Sequence, residues 1–330
     1  MSDAPIASLI VPSYNVSATL AETIQSLLLQ TFTDFELIVV DDGSTDTTPQ
    51  VVDTFTDPRI RYIRQSNRGL SGARNTGIHH ARGTYVAFCD ADDLWLPEKL
   101  ELHIAHLEAN PDVGISFSGS QMIDEHGKAL GISQSPNLRN ITAADIYKRN
   151  PIGNGSAAVI RREALDGMVF RPMGETERDW WFDETFRQSD DIEAWTRFAL
   201  TQDWRVEGIE GGLTLYRIHS GGLSANVEKQ YATWKRMTER MRAISPDFIA
   251  LHGAVAEAYQ VRYLARRAVT AGAGDLAFKL AWRTLSLSLT PLVEEPLKTI
   301  TTLGAATVLK IFGADTYRKA QSSVLRLKNA

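Results

Sequence analysis

The segment YVAFCDADD, Tyr85–Asp93, decides the fold, because an apolar run ends there in three aspartates within four positions. Apolar runs of this length that are closed by polar residues are typical of buried β-strands. Ile6–Val11 and Leu37–Val40 have the same form and end at Pro12-Ser13 and Asp41-Asp42-Gly43. Ligands of open parallel sheets bind beyond the carboxyl ends of the strands, so these three strand ends predict one shared crevice.

Helices between these runs indicate parallel pairing. Thr19–Leu29 carries Leu20, Ile24 and Leu27 at helical spacing, and a strand, a helix and a second strand in succession form a parallel unit. The alternation continues with a helix at Thr47–Phe55, a strand at Ile60–Arg64 and a helix at Gly69–Ala81. The elements predict an α/β fold with a mostly parallel sheet and helices on both faces.

The remaining chain separates into two parts. A helix at Glu98–Ala109 precedes apolar runs that read as strands, namely Val113–Ser118, Ala157–Ile160 and Leu213–Ile218. From Val227 onward the spacing of apolar residues is helical, with a hairpin turning at Gly272-Ala273-Gly274. We therefore predict an α/β domain over 1–225 and a helical region over 226–330.

Composition excludes several classes of protein. The chain has 330 residues and a formal net charge of −5, from 35 basic and 40 acidic residues, so it lacks the positive field that binds nucleic acid. The single cysteine fits a reducing compartment. Residues 1–8 do not resemble a secretory signal, and no apolar run reaches the roughly 20 residues of a membrane-spanning helix. These features predict a cytoplasmic protein.

The tail after Pro296 has a different character. Six basic residues stand against one acidic residue, Asp315, among scattered apolar side chains; the basic residues are Lys298, Lys310, Arg318, Lys319, Arg326 and Lys328. A basic and partly amphipathic segment of this kind can lie on an anionic membrane surface. The tail therefore suggests peripheral contact with a membrane, and an ordinary solvated helix is the alternative.

The aspartates of Asp90–Asp93 indicate a metal site. Carboxylates crowded this closely repel one another unless a cation lies between them. Mg²⁺ or Mn²⁺ takes one or two protein carboxylates and completes its coordination with water and substrate phosphates. The alternative is an acidic loop in which one aspartate caps the following helix.

Two further groups point to a nucleotide and to acid–base chemistry. Asp42 can accept hydrogen bonds from a nucleobase or a ribose, and Tyr14 can stack on a base; a turn residue and a core aromatic are the alternatives. Asp190-Asp191 precedes a helical run, where a carboxylate is either a helix cap or a general base for a hydroxyl group. The residues alone leave that choice open.

With these motifs in this order, the sequence resembles the family 2 glycosyltransferases. The resemblance extends over about Ala7–Ser224 and rests on the segments IVPSYN (10–15), QTF (30–32) with FEL (35–37), VVDDGSTD (39–46), ARNTG (73–77), DADD (90–93), and FDE (182–184) with DD (190–191). Their co-occurrence in this order is far more specific than any one of them. The chain departs from the usual Glu-Asp pair, because it has Asp190-Asp191.

The resemblance implies a GT-A fold, a metal-dependent donor site and transfer with inversion. It assigns the donor nucleotide to Pro12, Tyr14, Asp41, Asp42, Arg74, Asp90 and Ala91, and the metal to Asp90, Asp92, Asp93 and His219. His219 is matched less specifically, and a structural histidine is the alternative. It assigns the catalytic base to Asp191, with Asp190 beside it.

The function implied is transfer of a sugar from a nucleoside diphosphate, UDP being favoured, to a hydroxyl of a glycan or glycolipid in polysaccharide, lipopolysaccharide or other glycoconjugate synthesis. A nucleotidyltransferase acting on sugar phosphates is one rival, but residues 12–18 are not the glycine-rich, basic loop that it needs. A signalling receiver domain would place its acidic pair after the first strand, whereas the pair here follows the second. A binding-only relative would not need Asp191.

Overall fold

The computed structural model describes residues 4–218 and 227–328, and side chains as far as residue 314. Among these residues the chain forms two compact units. The first comprises 4–146 and 150–218, and the second comprises 147–149 and 227–328. Each unit has its own hydrophobic core.

The first unit is built on a nine-stranded sheet. Its strands are β1 Ala7–Ser13, β2 Phe35–Asp41, β3 Ile60–Arg64, β4 Tyr85–Phe88, β5 Leu94–Trp95, β6 Val113–Ile123, β7 Ala129–Gln134, β8 Ala158–Arg161 and β9 Arg205–Arg217. Their order is β3-β2-β1-β4-β8-β6-β9-β5, with β7 paired to β6.

The sheet is mixed. Strands β3, β2, β1 and β4 pair in parallel, as the sequence predicts. Beyond β4 the direction changes, because β8 is antiparallel to both of its neighbours, while β6 and β9 run parallel. The short strand β5 pairs antiparallel with β9, and β7 pairs antiparallel with β6.

Helices cover both faces of this sheet. They are α1 Leu20–Leu28, α2 Thr48–Asp53, α3 Gly69–His80, α4 Lys99–Ala109, α6 Arg162–Asp166 and α7 Asp190–Thr201, with a 3₁₀ turn at Gly155–Ala157. Helix α5, Ala143–Arg149, begins in this unit, and its last three residues belong to the second. Ile10 faces one apolar layer, whereas Leu9 and Val11 face the other. Burial on both faces is why the parallel strands appear in the sequence as continuous apolar runs.

The second half of the sheet differs from the sequence-based assignment in extent. β9 begins at Arg205 rather than Leu213, and a bulge interrupts its pairing near Gly211, whose φ is 108°. β7 was not predicted, because five of its six residues are exposed and provide no apolar alternation. Edge strands of this kind have little sequence signal.

The second unit is helical, with α8 Val227–Ile244, α9 Pro246–Thr270, α10 Gly274–Leu287, α11 Thr290–Glu294 and α12 Pro296–Lys328. The predicted hairpin is present as α9 and α10, which turn at Gly272 with a φ of 74°. No helix among the described residues combines the length and the apolar character that crossing a bilayer requires.

Candidate active site

The polar ends of β1, β2 and β4 lie at one edge of the sheet. Ser13 is in register with Asp41, and Ile10 with Phe88, two residues before Asp90. The loops that follow are joined, because Asn15 N–H donates to Ser44 Oγ at 3.0 Å and Asn15 Oδ1 accepts from Thr45 N–H at 2.8 Å. The strand ends predicted to converge are therefore brought together.

Asp41 and Asp42 hold the loops around this edge. Asp42 Oδ1 accepts from Gln65 Nε2 at 2.6 Å and from Arg68 N–H at 2.8 Å, and its Oδ2 accepts from Gly69 N–H at 2.7 Å. The fully buried Asp41 accepts from Ser44 N–H and from the Tyr62 hydroxyl. Both carboxylates are thus hydrogen-bonded within the protein. These contacts indicate that Asp41 and Asp42 fix the conformation of the loops at this edge of the sheet.

Tyr14 and Pro12 have different surroundings. Pro12 is buried within β1, whereas Tyr14 lies just beyond the strand and exposes 49% of its surface. An aromatic ring at the end of a central strand, facing solvent, is available for stacking.

Arg74 joins the two acidic motifs. Its side chain is 2% exposed and lies on α3. Nη2 donates to Asp90 Oδ1 and Nη1 donates to Asp190 Oδ2, both at 2.8 Å. Burial opposes the charge of Arg74, but attraction by Asp90 and Asp190 outweighs it and raises its pKa. The guanidinium therefore stays charged and fixes the distance between the two motifs.

The 3₁₀ turn at Gly155–Ala157 packs against this bridge. A Cβ atom at Gly155 would collide with Nη2 of Arg74, so only glycine allows the turn to lie this close. Ser156 Oγ accepts from Asp90 N–H at 2.9 Å and donates to Asp93 Oδ2 at 2.6 Å. The turn thereby holds both ends of the Asp90–Asp93 segment, and sequence analysis did not find it.

Asp93 is enclosed. Its Oδ1 accepts from Arg217 N–H at 3.0 Å, so each of its carboxylate oxygens has a protein donor, and no part of the residue is exposed. Burial, followed by repulsion from Asp90, raises its pKa. Arg217 Nε also donates to the Asp92 carbonyl at 2.8 Å. These contacts favour a structural role for Asp93 over a metal-binding one.

A buried lysine supports the same turn from behind. Lys99 is fully buried, and its Nζ donates to the Ala157 carbonyl at 2.9 Å and contacts His103 Nε2 at 3.2 Å. Burial lowers its pKa to about 7. Sequence analysis missed this residue, because a lysine in a helix ordinarily faces solvent.

Asp190 and Asp191 open helix α7 and face different environments. Asp190 is buried against Arg74 and Ser71 Oγ, at 3.2 Å. Asp191 is half-buried; its Oδ1 accepts from Ile192 N–H at 2.8 Å, and no side chain in the described ranges donates a hydrogen bond to it. Burial, followed by repulsion from Asp190, raises the pKa of Asp191 to about 7. A carboxylate with such a pKa can both accept and release a proton near neutrality.

The metal-binding capacity of the site rests on two carboxylates. Asp90 and Asp92 are partly exposed, in contrast to Asp93, and the Ala91 carbonyl between them accepts from Thr19 Oγ1 at 2.8 Å. No group of three or more metal-ligating side chains occurs among the described residues, and His219 lies outside them. Two carboxylates fit a hard cation that takes its other ligands from water and phosphate.

The fold is that of the GT-A glycosyltransferases, as a comparison with solved structures shows. S. aureus TarS, residues 1–349, in complex with UDP-GlcNAc superimposes with a TM-score of 0.59 at 20% identity, over 95% of this chain and 92% of that one. The mannosyltransferase PcManGT from Pyrobaculum calidifontis, in complex with GDP-Man and Mn²⁺, gives a TM-score of 0.57 at 22% identity, over 94% and 88%. The predicted fold class is thereby confirmed.

Residues 8–168 match Glycosyl transferase family 2. The chain is 32% identical over 229 residues to the UDP-Glc:alpha-D-GlcNAc-diphosphoundecaprenol beta-1,3-glucosyltransferase WfgD of Escherichia coli, over 68% of this chain and 82% of that protein. The protein belongs to the family 2 glycosyltransferases and is a glycosyltransferase, as its sequence motifs predict.

Proposed function

We propose that the enzyme transfers a sugar from a nucleoside diphosphate, UDP being favoured, to a hydroxyl of a lipid-linked glycan, with inversion at the anomeric carbon. The observation that carries the proposal is the Arg74 bridge, which places Asp90 and Asp190 on one guanidinium. The donor and acceptor classes are supported by the UDP-glucose and diphosphoundecaprenol in the name of WfgD and by the UDP-GlcNAc in the TarS complex.

The donor nucleotide is assigned to the edge formed by β1, β2 and β4. Tyr14 supplies an exposed ring for the base, and Pro12 fixes the strand end that presents it. Asp41 and Asp42 keep the adjoining loops in place through their internal hydrogen bonds. Ala91 lies between the two aspartates that face the diphosphate.

Asp90 and Asp92 are the residues that would hold Mg²⁺ or Mn²⁺, and a cation held there would supply positive charge that stabilises a diphosphate leaving group. The Mn²⁺ in the PcManGT complex supports this choice of ion. Asp93 and Ser156 hold the segment that carries both ligands.

Asp191 is the proposed base. It takes the proton of the acceptor hydroxyl as that oxygen forms its bond to the anomeric carbon, while the bond from this carbon to the diphosphate oxygen breaks. A single displacement of this kind inverts the anomeric centre. Asp190 and Arg74 position the start of α7, and Arg74 also orients Asp90.

The first expected result concerns the donor. UDP or another nucleoside diphosphate should raise the melting temperature by about 5 °C with Mn²⁺ and have little effect with EDTA, because the aspartates otherwise repel the diphosphate. Thermal shift with a panel of nucleoside diphosphates measures it. Asp92→Asn should abolish the Mn²⁺-dependent shift, and Asp166→Asn, a change on the surface of α6, should not. Equal shifts in Mn²⁺ and EDTA would contradict the metal site.

The second expected result concerns pH. Because the base must be ionised, kcat/KM for transfer should rise about tenfold per pH unit below about 7 and level off above it. The pKa of Asp191 is about 7 in the folded protein and has its ordinary value near 3.8 in the unfolded chain. Between these two pH values only the folded protein keeps the proton on this carboxyl group, so Asp191 makes the fold less stable as pH rises through that window. A rate profile from pH 5 to 9 tests the expectation, and a flat profile would contradict a pKa near 7 for the catalytic base.

We also assign residues 1–225 to catalysis and 226–330 to a separate helical domain. A lipid-linked acceptor would place the enzyme at the cytoplasmic face of a membrane, as a peripheral protein.

A further inference from the structure

The outward face of α12 is apolar. Five large apolar side chains of this helix are between 37% and 75% exposed, and most of them are three, four or eight residues apart: Leu297, Ile300, Val308, Ile311 and Phe312. Intervals of three and four place side chains on one side of a helix. We call this set the apolar stripe.

The apolar stripe lies on the side of α12 that faces away from the core of the second unit. The opposite side of α12 already packs into the core of the second unit through Thr299, Thr302, Ala306 and Leu309, all nearly fully buried. A surface helix normally turns polar residues outward, and one that is apolar on all sides is usually covered. Exposed apolar patches of this extent mark sites of interaction with a partner or a membrane.

The charge around the stripe selects its partner. Residues 296–314 include Lys298 and Lys310 and no acidic residue, and the sequence continues to residue 330 with four basic residues and one acidic residue. The two lysines are 50% and 44% exposed and pair with Glu295 and Asp275, so the surplus of positive charge comes from the sequence of 296–330 as a whole. Apolar side chains flanked by basic ones match an anionic lipid surface.

A half-exposed tryptophan extends the same surface. Lys310 Nζ lies 5.0 Å from the ring of Phe278 on α10, and Trp282 follows one turn later with 50% of its surface exposed. Tryptophan is enriched at the depth where lipid headgroups meet the hydrocarbon.

We propose that the apolar stripe docks the enzyme on an anionic bilayer surface, with its leucine and isoleucine side chains at the acyl boundary and its lysines among the headgroups. The inference extends the proposed function, because a lipid-linked acceptor has to be met at a membrane, but its observations belong to the helical unit alone. The stripe, and not the basic tail by itself, is the contact.

The test is co-sedimentation of the full chain with vesicles. Wild-type protein should pellet with vesicles of 30% phosphatidylglycerol and bind at least tenfold more weakly to pure phosphatidylcholine or in 0.5 M NaCl, since the attraction is screened by salt. Ile300→Glu with Ile311→Glu should reduce binding to anionic vesicles more than tenfold. Leu251→Glu on α9, a leucine that is 73% exposed, is the matched control and should bind like wild type.

Three outcomes would overturn the proposal: no binding of wild-type protein to anionic vesicles, unchanged binding of the Ile300→Glu/Ile311→Glu variant, or a wild-type dimer in light scattering that this variant dissociates. The last would make the stripe an interface between two copies. The Mn²⁺-dependent thermal shift with UDP is measured on the same samples. If the wild-type protein showed no such shift but still bound anionic vesicles, the proposed function would be contradicted and the proposed docking surface would not.

Discussion

Asp191→Asn is expected to reduce sugar transfer by about 10²–10⁴-fold, the usual contribution of a general base. The amide keeps the shape of the side chain and removes its capacity to accept a proton. The backbone bond from Ile192 N–H to Oδ1 can still form, so helix α7 should keep its first turn. Affinity for UDP with Mn²⁺ should persist, because Asp191 makes no proposed contact with the donor nucleotide.

The measurement is single-turnover release of UDP from a UDP-sugar, with a lipid-diphosphate-linked N-acetylglucosamine as acceptor. Asp190→Asn is the informative comparison, because it loses charge against Arg74 and should lower stability as well as rate. If Asp191→Asn transferred at the wild-type rate while Asp190→Asn did not, the base would be Asp190. If both variants stayed active, the acidic pair would only cap α7.

The strand ends were predictable because their signal is local. Each parallel strand is an apolar run that stops at a polar residue, and the alternation of strands and helices is typical of parallel sheets. Because β1 and β2 pair in parallel, their polar ends Ser13 and Asp41 lie opposite each other. The mixed second half was harder to predict, because β7 is exposed and β9 is interrupted by a bulge.

The contacts within the site were not predictable, since they join residues far apart in the chain. Arg74 belongs to a recognisable motif, but nothing local indicates that its guanidinium lies between Asp90 and Asp190. The roles of Gly155 and Ser156 depend on the same long-range packing. Asp93 resembles its neighbours in sequence, and only burial sets it apart from Asp90 and Asp92.

The C-terminal tail shows the same limit. Its basic residues are visible in the sequence and suggest a membrane surface. Apolar residues such as Ile300 and Leu309 are equally visible, but their order does not reveal which of them is covered by α9 and α10. The structure separates the buried Leu309 from the exposed Ile300, and this separation defines the apolar stripe.

Arg74→Met should destabilise the fold by about 3–5 kcal/mol, the cost of removing one partner of a buried ion pair. The change leaves the carboxylate of Asp190, which is 5% exposed, without its cation. Asp90, whose side chain is 25% exposed, can regain water and contributes less to the loss. The free energy of unfolding in urea measures the effect, and Arg171→Met, which breaks an exposed pair with Asp179, should cost at most about 1 kcal/mol.

A second substitution separates the unpaired charge from the lost packing. Asp190→Asn added to Arg74→Met removes the buried carboxylate charge, so the double variant should be more stable than Arg74→Met alone. In both Arg74→Met and the double variant the Mn²⁺-dependent shift with UDP should be weaker than in wild type, because Asp90 has lost the guanidinium that orients it. If Arg74→Met cost no more than Arg171→Met and kept the full Mn²⁺-dependent shift, the bridge would be dispensable, and Asp90 and Asp190 would act as independent sites.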